Sequence, residues 1–117
     1  MTTKNKEVIQ KVNEGFVTGD TEAILSYLAN DVRWDINGVL AAVGKEAFRK
    51  EVKNEAFEGT PTITVTKMIA EGDHVAAEGE AQCKKKDGGM FDAWFFDIYR
   101  LEDGKIKEMR SYVVEKK

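Results

Sequence analysis

Apolar residues recur at helical spacing from Asn5 to Val17, where Val8, Ile9, Val12, Phe16 and Val17 would bury one face of a first helix. Gly19-Asp20 ends that run. Asp20 or Thr21 can cap a second helix, with Glu22 and Ala23 in its first turn and Ile24, Leu25 and Leu28 on its buried side. After Asn30-Asp31 the alternation of Val32-Arg33-Trp34-Asp35-Ile36 predicts a short strand, which Asn37-Gly38 breaks. A third helix is predicted from about Lys45 to Phe57, with Ala47, Phe48 and Val52 facing inward. Beyond Gly59-Thr60-Pro61 the chain is β-rich: Thr62 to Ile69, a turn at Glu71-Gly72-Asp73, a strand from His74 to Lys84, then a hairpin. That hairpin runs from Met90 to Val114 and turns at Glu102-Asp103-Gly104, an Asp-Gly pair between two β-rich runs. Helices first and a four-strand meander afterwards predict an α+β fold, with the helices on one face of a curved antiparallel sheet.

The hairpin contains an anomaly. Asp97 lies between Trp94-Phe95-Phe96 and Ile98-Tyr99, in the most apolar segment of the protein. A carboxylate in a central strand is costly to bury unless it is hydrogen-bonded, paired or protonated. Side chains alternate along a strand, so if Asp97 faces inward then Phe95, Tyr99 and Leu101 do too, while Trp94, Phe96 and Ile98 face outward.

Composition narrows the functional classes. The 117 residues fit one domain, read here as spanning 1–117, and 42% hydrophobic content supplies one core. Net charge is −3 with Lys and Glu interspersed, which argues against nucleic acid as a partner. The one basic run, Lys84-Lys85-Lys86, precedes Asp87-Gly88-Gly89 and reads as a solvated hairpin end. No apolar segment is long enough to span a membrane, and the N-terminus lacks a signal-peptide core, so no membrane partner is expected. One cysteine, Cys83, excludes an internal disulfide and suits a reducing cytoplasm. With His74 as the one histidine, a His/Cys zinc site is not expected, and no cofactor is implied.

The order of these pieces resembles the cone-shaped family of nuclear transport factor 2, ketosteroid isomerase and the SnoaL-type polyketide cyclases. The matching residues are Gly19-Asp20, Leu28-Ala29-Asn30-Asp31-Val32-Arg33-Trp34, Gly44, and Gly72-Asp73-His74-Val75. The most specific are Asp97-Ile98-Tyr99-Arg100 followed by Asp103-Gly104-Lys105-Ile106 and Glu108. The resemblance implies three N-terminal helices packed on a curved mixed or antiparallel sheet, with a pocket on its concave face. It places Asp97 at the cyclases' catalytic acid/base. The same position in ketosteroid isomerase holds a carboxylic acid kept neutral by apolar surroundings.

Ungapped matching to ketosteroid isomerase sets Trp34, Ile36, Ala76, Glu78, Glu80, Met109, Ser111 and Val113 inside, with Arg110 and Tyr112 outside. The expected catalytic pair is therefore Asp97 assisted by Glu78, the second carboxylate raising the pKa of one of the pair so that a protonated acid faces an ionised base. Trp34, Phe95, Tyr99, Met109, Ser111 and Val113 are the expected ligand-binding residues. Val75, Ala77, Trp94, Phe96, Ile98 and Tyr112 would form an outer apolar strip that calls for a cover, and a homodimer through that face is expected. Departures argue against steroid isomerisation: Val12 stands at the isomerase's helix-one tyrosine, and Ile36 at its general base.

The implied function is binding of a small hydrophobic or polyketide-like molecule, with proton transfer such as isomerisation or aldol-type cyclisation on a carbonyl compound. Two alternatives stand beside it: a non-catalytic ligand-binding or stress-associated module, and a protein-association module using the outer strip. The plain structural role for Asp97 is a hydrogen bond to Tyr99, Ser111 or a backbone amide.

Overall fold

A computed structural model describes residues 2–53 and 57–116. The elements in chain order are α1 (Thr2–Thr18), α2 (Thr21–Ser26), β1 (Leu28–Ile36), β2 (Val39–Val43), α3 (Lys45–Val52), β3 (Phe57–Glu71), β4 (His74–Lys85), β5 (Met90–Glu102) and β6 (Lys105–Glu115). The strands form one sheet in the order β2-β1-β6-β5-β4-β3. β1 runs parallel to β6 and every other neighbouring pair is antiparallel, so the sheet is mixed, with β3 to β6 as the meander.

Local chemistry sets the boundaries. Asp20 caps α2, its carboxylate accepting the Ala23 amide at 3.1 Å. The β5–β6 turn is two residues long, with Asp103 at φ 52° and Gly104 at φ 77°, the left-handed pair that matches strand twist. Asn37 (φ 52°) and Gly38 (φ 82°) make the same turn. Asn-Gly therefore does more than end β1: it folds the chain back into β2, a strand the hydrophobic pattern alone does not announce. The third helix is shorter than predicted. It ends at Val52, and Phe57 already pairs with Lys85 in the β3–β4 ladder; residues 54–56 lie outside the described residues.

The core lies between the helices and the concave face of the sheet. Ile9 and Val12 from α1, Ile24 and Leu25 from α2, and Phe48 from α3 pack against Val32, Val75, Tyr99, Leu101 and Ile106. Burying an aliphatic or aromatic side chain of this kind stabilises by roughly 1.5–3 kcal/mol, which is why the periodic apolar faces decide where each helix sits.

Strand parity in β4 is opposite to the expectation. Ala77 lies opposite Asp97 and Val75 opposite Tyr99, both fully or almost fully buried. Ala76, Glu78 and Glu80 face outward, opposite Ile98, Phe96 and Trp94. Val75 and Ala77 therefore leave the outer strip, which consists of Trp94 (53% exposed), Phe96 (38%), Tyr112 (44%) and the half-buried Ile98. At Gly79 the β3 backbone passes so close that an added Cβ would lie 1.9 Å from the Thr64 carbonyl oxygen. The β3–β4 register shifts next to this point, between Val65 and Lys67.

Candidate functional site

β5 carries Asp97 inward, with Ser111 of β6 directly opposite on one side and Ala77 of β4 on the other. Two residues further along the same face, the Tyr99 hydroxyl donates to Asp97 Oδ2 at 3.0 Å. Ser111 also hydrogen-bonds the Asp97 carboxyl. The indole Nε1–H of Trp34 donates to Ser111 Oγ at 2.9 Å. Because an indole N–H can only donate, Ser111 accepts from Trp34 and its own hydroxyl hydrogen is left for Asp97. Trp34 is itself held by packing. It stacks on Phe48 (centroids 4.6 Å apart, planes at 26°) and meets Phe16 edge-on at 6.5 Å.

The electrostatics follow from this arrangement. Asp97 is 8% exposed, and burial pushes its carboxyl from the ordinary 3.8 up to about 6, against the lowering pull of the Ser111 and Tyr99 hydrogen bonds. Burial, with the Asp97 charge beside it, holds Tyr99 well above the usual tyrosine value, so its hydroxyl remains a donor. Asp97 is thus an ionised acceptor at neutral pH that can take a proton without a large penalty, the state suited to a general base.

Above this carboxyl lies a cavity of about 190 Å³. Six of the expected site residues line it: Trp34, Phe95, Asp97, Met109, Ser111 and Val113. Tyr99 is fully buried and reaches the site through its hydrogen bond to Asp97. Glu78 is not part of it. Glu78 lies opposite Phe96 and is solvent-exposed on the outer face, so among the described residues no second carboxylate lines the cavity with Asp97. The alternation Val75-Ala77-Gly79-Ala81 against Ala76-Glu78-Glu80-Gln82 carries the correct parity: the small residues face the concave side, where space is short. Asp35 also points away, 3.5 Å from Arg33 and 3.8 Å from Arg110, after a register shift between Trp34 and Asp35.

The remaining wall comes from residues that sequence reasoning did not single out for the site: Asn13 and Phe16 of α1, Ile63 of β3, Ala81 of β4 and Phe91 of β5, together with the inward Ile36. Phe16 belongs to the apolar face of α1, and Asn13, three residues before it, lies beside that face without any sign in the sequence that it borders a cavity. An adjoining depression of about 460 Å³ shares Phe16, Trp34, Ile36, Ile63, Ala81 and Phe91, and reaches Glu51, Lys53, Cys83 and Lys86. Burial pushes the Cys83 thiol up, away from the reactive thiolate. Among the described residues, no group of three or more His, Cys, Asp or Glu is placed to hold a metal ion. Nor is any helix among them long and apolar enough to cross a membrane.

The model of the SnoaL-like domain matches residues 9–109, which include Trp34, Asp97 and Tyr99 of the hydrogen-bonded group and stop two residues short of Ser111. The chain belongs to the SnoaL-like domain family. No curated protein matches it. Among solved structures, a protein described as a SnoaL-like polyketide cyclase from Jannaschia sp. CCS1 superposes with a TM-score of 0.86 at 21% identity, over 96% of this chain and 86% of that one. An LEH-like epoxide hydrolase from M. tuberculosis gives 0.85 at 15% identity, over 97% and 84%. An NTF2-like protein of unknown function from Burkholderia pseudomallei K96243 gives 0.83 at 18% identity, over 92% and 88%. At these identities the likeness establishes the cone-shaped NTF2-like fold, which the SnoaL-like family shares.

Proposed function

We propose that this SnoaL-like protein, read as one domain over residues 1–117, admits a small hydrophobic, carbonyl-bearing molecule of polyketide-like character to its concave cavity. There Asp97 acts as a general base, removing and returning a proton on the carbon next to the carbonyl. One observation carries this reading. Asp97 is the sole ionisable side chain lining the inner cavity among the described residues, and its carboxyl ionises near neutrality beneath apolar walls. Trp34, Phe95, Met109 and Val113 would surround the ligand, while Ser111 and Tyr99 orient the carboxylate. Isomerisation and aldol-type cyclisation both begin with this proton removal.

The test uses indanone, a compact aromatic ketone with an exchangeable CH₂ beside its carbonyl. Incubated with the protein in heavy water, indanone is expected to exchange those hydrogens at a rate that rises through about pH 6 and then levels, as Asp97 ionises. Asp97→Asn should abolish the protein-dependent exchange. Equal exchange with the Asn variant would sink the reading.

The non-catalytic binding alternative draws on the position of Glu78, because its place on the outer face leaves Asp97 without an acidic partner among the described residues. Tight binding of aromatic ketones without any exchange would select it. The outer strip of Trp94, Phe96, Ile98 and Tyr112 supports a homodimer through that face, checked by sedimentation at micromolar concentration; a monomer there removes this part of the reading. The single cysteine, which a reducing compartment suits, supports a cytoplasmic location, and a reporter fusion found outside the cytoplasm would overturn it.

A further inference from the structure

The cavity holds one polar group whose bonding capacity is not used. α1 lays Val12 into the core, and the next residue, Asn13, borders the cavity together with Phe16. Asn13 Nδ2 is buried and has no hydrogen-bond partner; among the described residues it is the one buried side-chain nitrogen or oxygen in that condition. A buried amide without a partner is costly, and native proteins keep such groups where a ligand or water completes them. The other polar groups here are satisfied: Trp34 by Ser111, and Tyr99 and Ser111 by Asp97. The cavity is thus bordered, among the described residues, by one residue with an unused N–H donor on the helix side and by one carboxylate on the sheet side, with apolar residues between them.

We propose that Asn13 is a ligand-binding residue whose side-chain amide donates a hydrogen bond to the carbonyl oxygen of the molecule held in this cavity. The cavity thereby selects a ligand with an acceptor oxygen beside an acidic C–H, over a hydrocarbon of the same shape. This deepens the reading of Asp97 as a base and rests on it for the chemical step. When the Asp97 carboxylate takes the proton from the α-carbon, the C–H electron pair becomes the new C=C bond and the carbonyl π pair moves onto oxygen. The negative charge then develops where the Asn13 amide donates, so the contact strengthens as the proton leaves. Return of the proton from Asp97 to carbon reverses each shift, and nothing else is consumed.

The experiment compares indanone with indane, which share a frame and differ by the carbonyl oxygen. Binding is followed by heteronuclear NMR through the Trp34 indole N–H and the Asn13 side-chain NH₂ of the full chain. Indanone is expected to bind roughly tenfold more tightly than indane and to shift the Asn13 NH₂ signals, which indane leaves in place. In Asn13→Leu that preference should vanish, indane binding at least as well as before. The exchange rate at saturating indanone should fall by roughly a hundredfold. The wild-type NH₂ shift is read without any substitution, so a variant that fails to fold does not decide the matter.

Three results overturn the proposal: equal affinity for the two compounds in the wild type, an unchanged preference in Asn13→Leu, or no binding of either at millimolar concentration. The Asp97 reading fails separately. Wild-type protein that prefers indanone through Asn13 but catalyses no exchange keeps the Asn13 contact and loses the base. Exchange that Asn13→Leu leaves intact does the reverse.

Discussion

Burying the Asp97 carboxyl between Tyr99, Ser111 and the apolar cavity wall moves its pKa from 3.8 to about 6, a change worth roughly 3 kcal/mol. The sign follows from linkage. A folded pKa above the unfolded one means that the native state holds the proton more tightly, so ionisation opposes folding. This contribution is fully present below about pH 4 and is lost as pH rises through about 6. Asp97→Asn keeps the shape and cannot ionise, so it should be more stable than wild type near pH 8 and close to it near pH 4 in urea denaturation. A variant less stable near pH 8 would show that the two hydroxyl bonds outweigh burial. Asp97 could be read from the sequence because a charge in an aromatic strand violates pattern. Asn13 could not, since an asparagine between Val12 and Glu14 looks like the ordinary polar boundary of an amphipathic helix, and only the placement of α1 over the sheet reveals its orphaned amide.

Among the elements, β4 shows how far alternation alone can be trusted. β5 and β6 behave as their patterns predict, with Asp97, Tyr99, Met109 and Ser111 buried. The same rule read within β4 would have put Ala77 and Gly79 inside. Family matching without gaps shifted it by one residue, and a shift of one exchanges the two faces. The requirement for small residues is sharpest at Gly79, where the Thr64 carbonyl of β3 occupies the space a side chain would need. Gly79→Ala should destabilise by about 1–3 kcal/mol or more, since backbone rather than a mobile side chain must give way. Thermal unfolding checks this, and an unchanged midpoint would mean that the β3 bulge relaxes freely. β2 and the end of α3 escaped the periodic pattern for a different reason: five-residue strands and residues next to a strand start carry too few positions for a period to show.

For the whole molecule, the fold sorts its charges by side. The outer face carries Glu78 and Glu80, with Lys116 bonded to Glu80 and lying 5.2 Å over the Trp94 ring. If that face joins two copies, Trp94→Glu should dissociate them in sedimentation while leaving the cavity and its ligand preference unchanged; persistence of the dimer would move the interface elsewhere. The concave side keeps Asp97 as the one ionisable group at its inner cavity among the described residues, and the indole and both hydroxyls around it are oriented as donors. This has a stereochemical consequence. With one acceptor on one wall, a proton can leave and return only from the same side of a bound ring, so label from heavy water should enter one prochiral position of indanone ahead of the other. Equal labelling of both positions from the first turnover would mean that a second proton carrier, or a tumbling guest, shares the cavity.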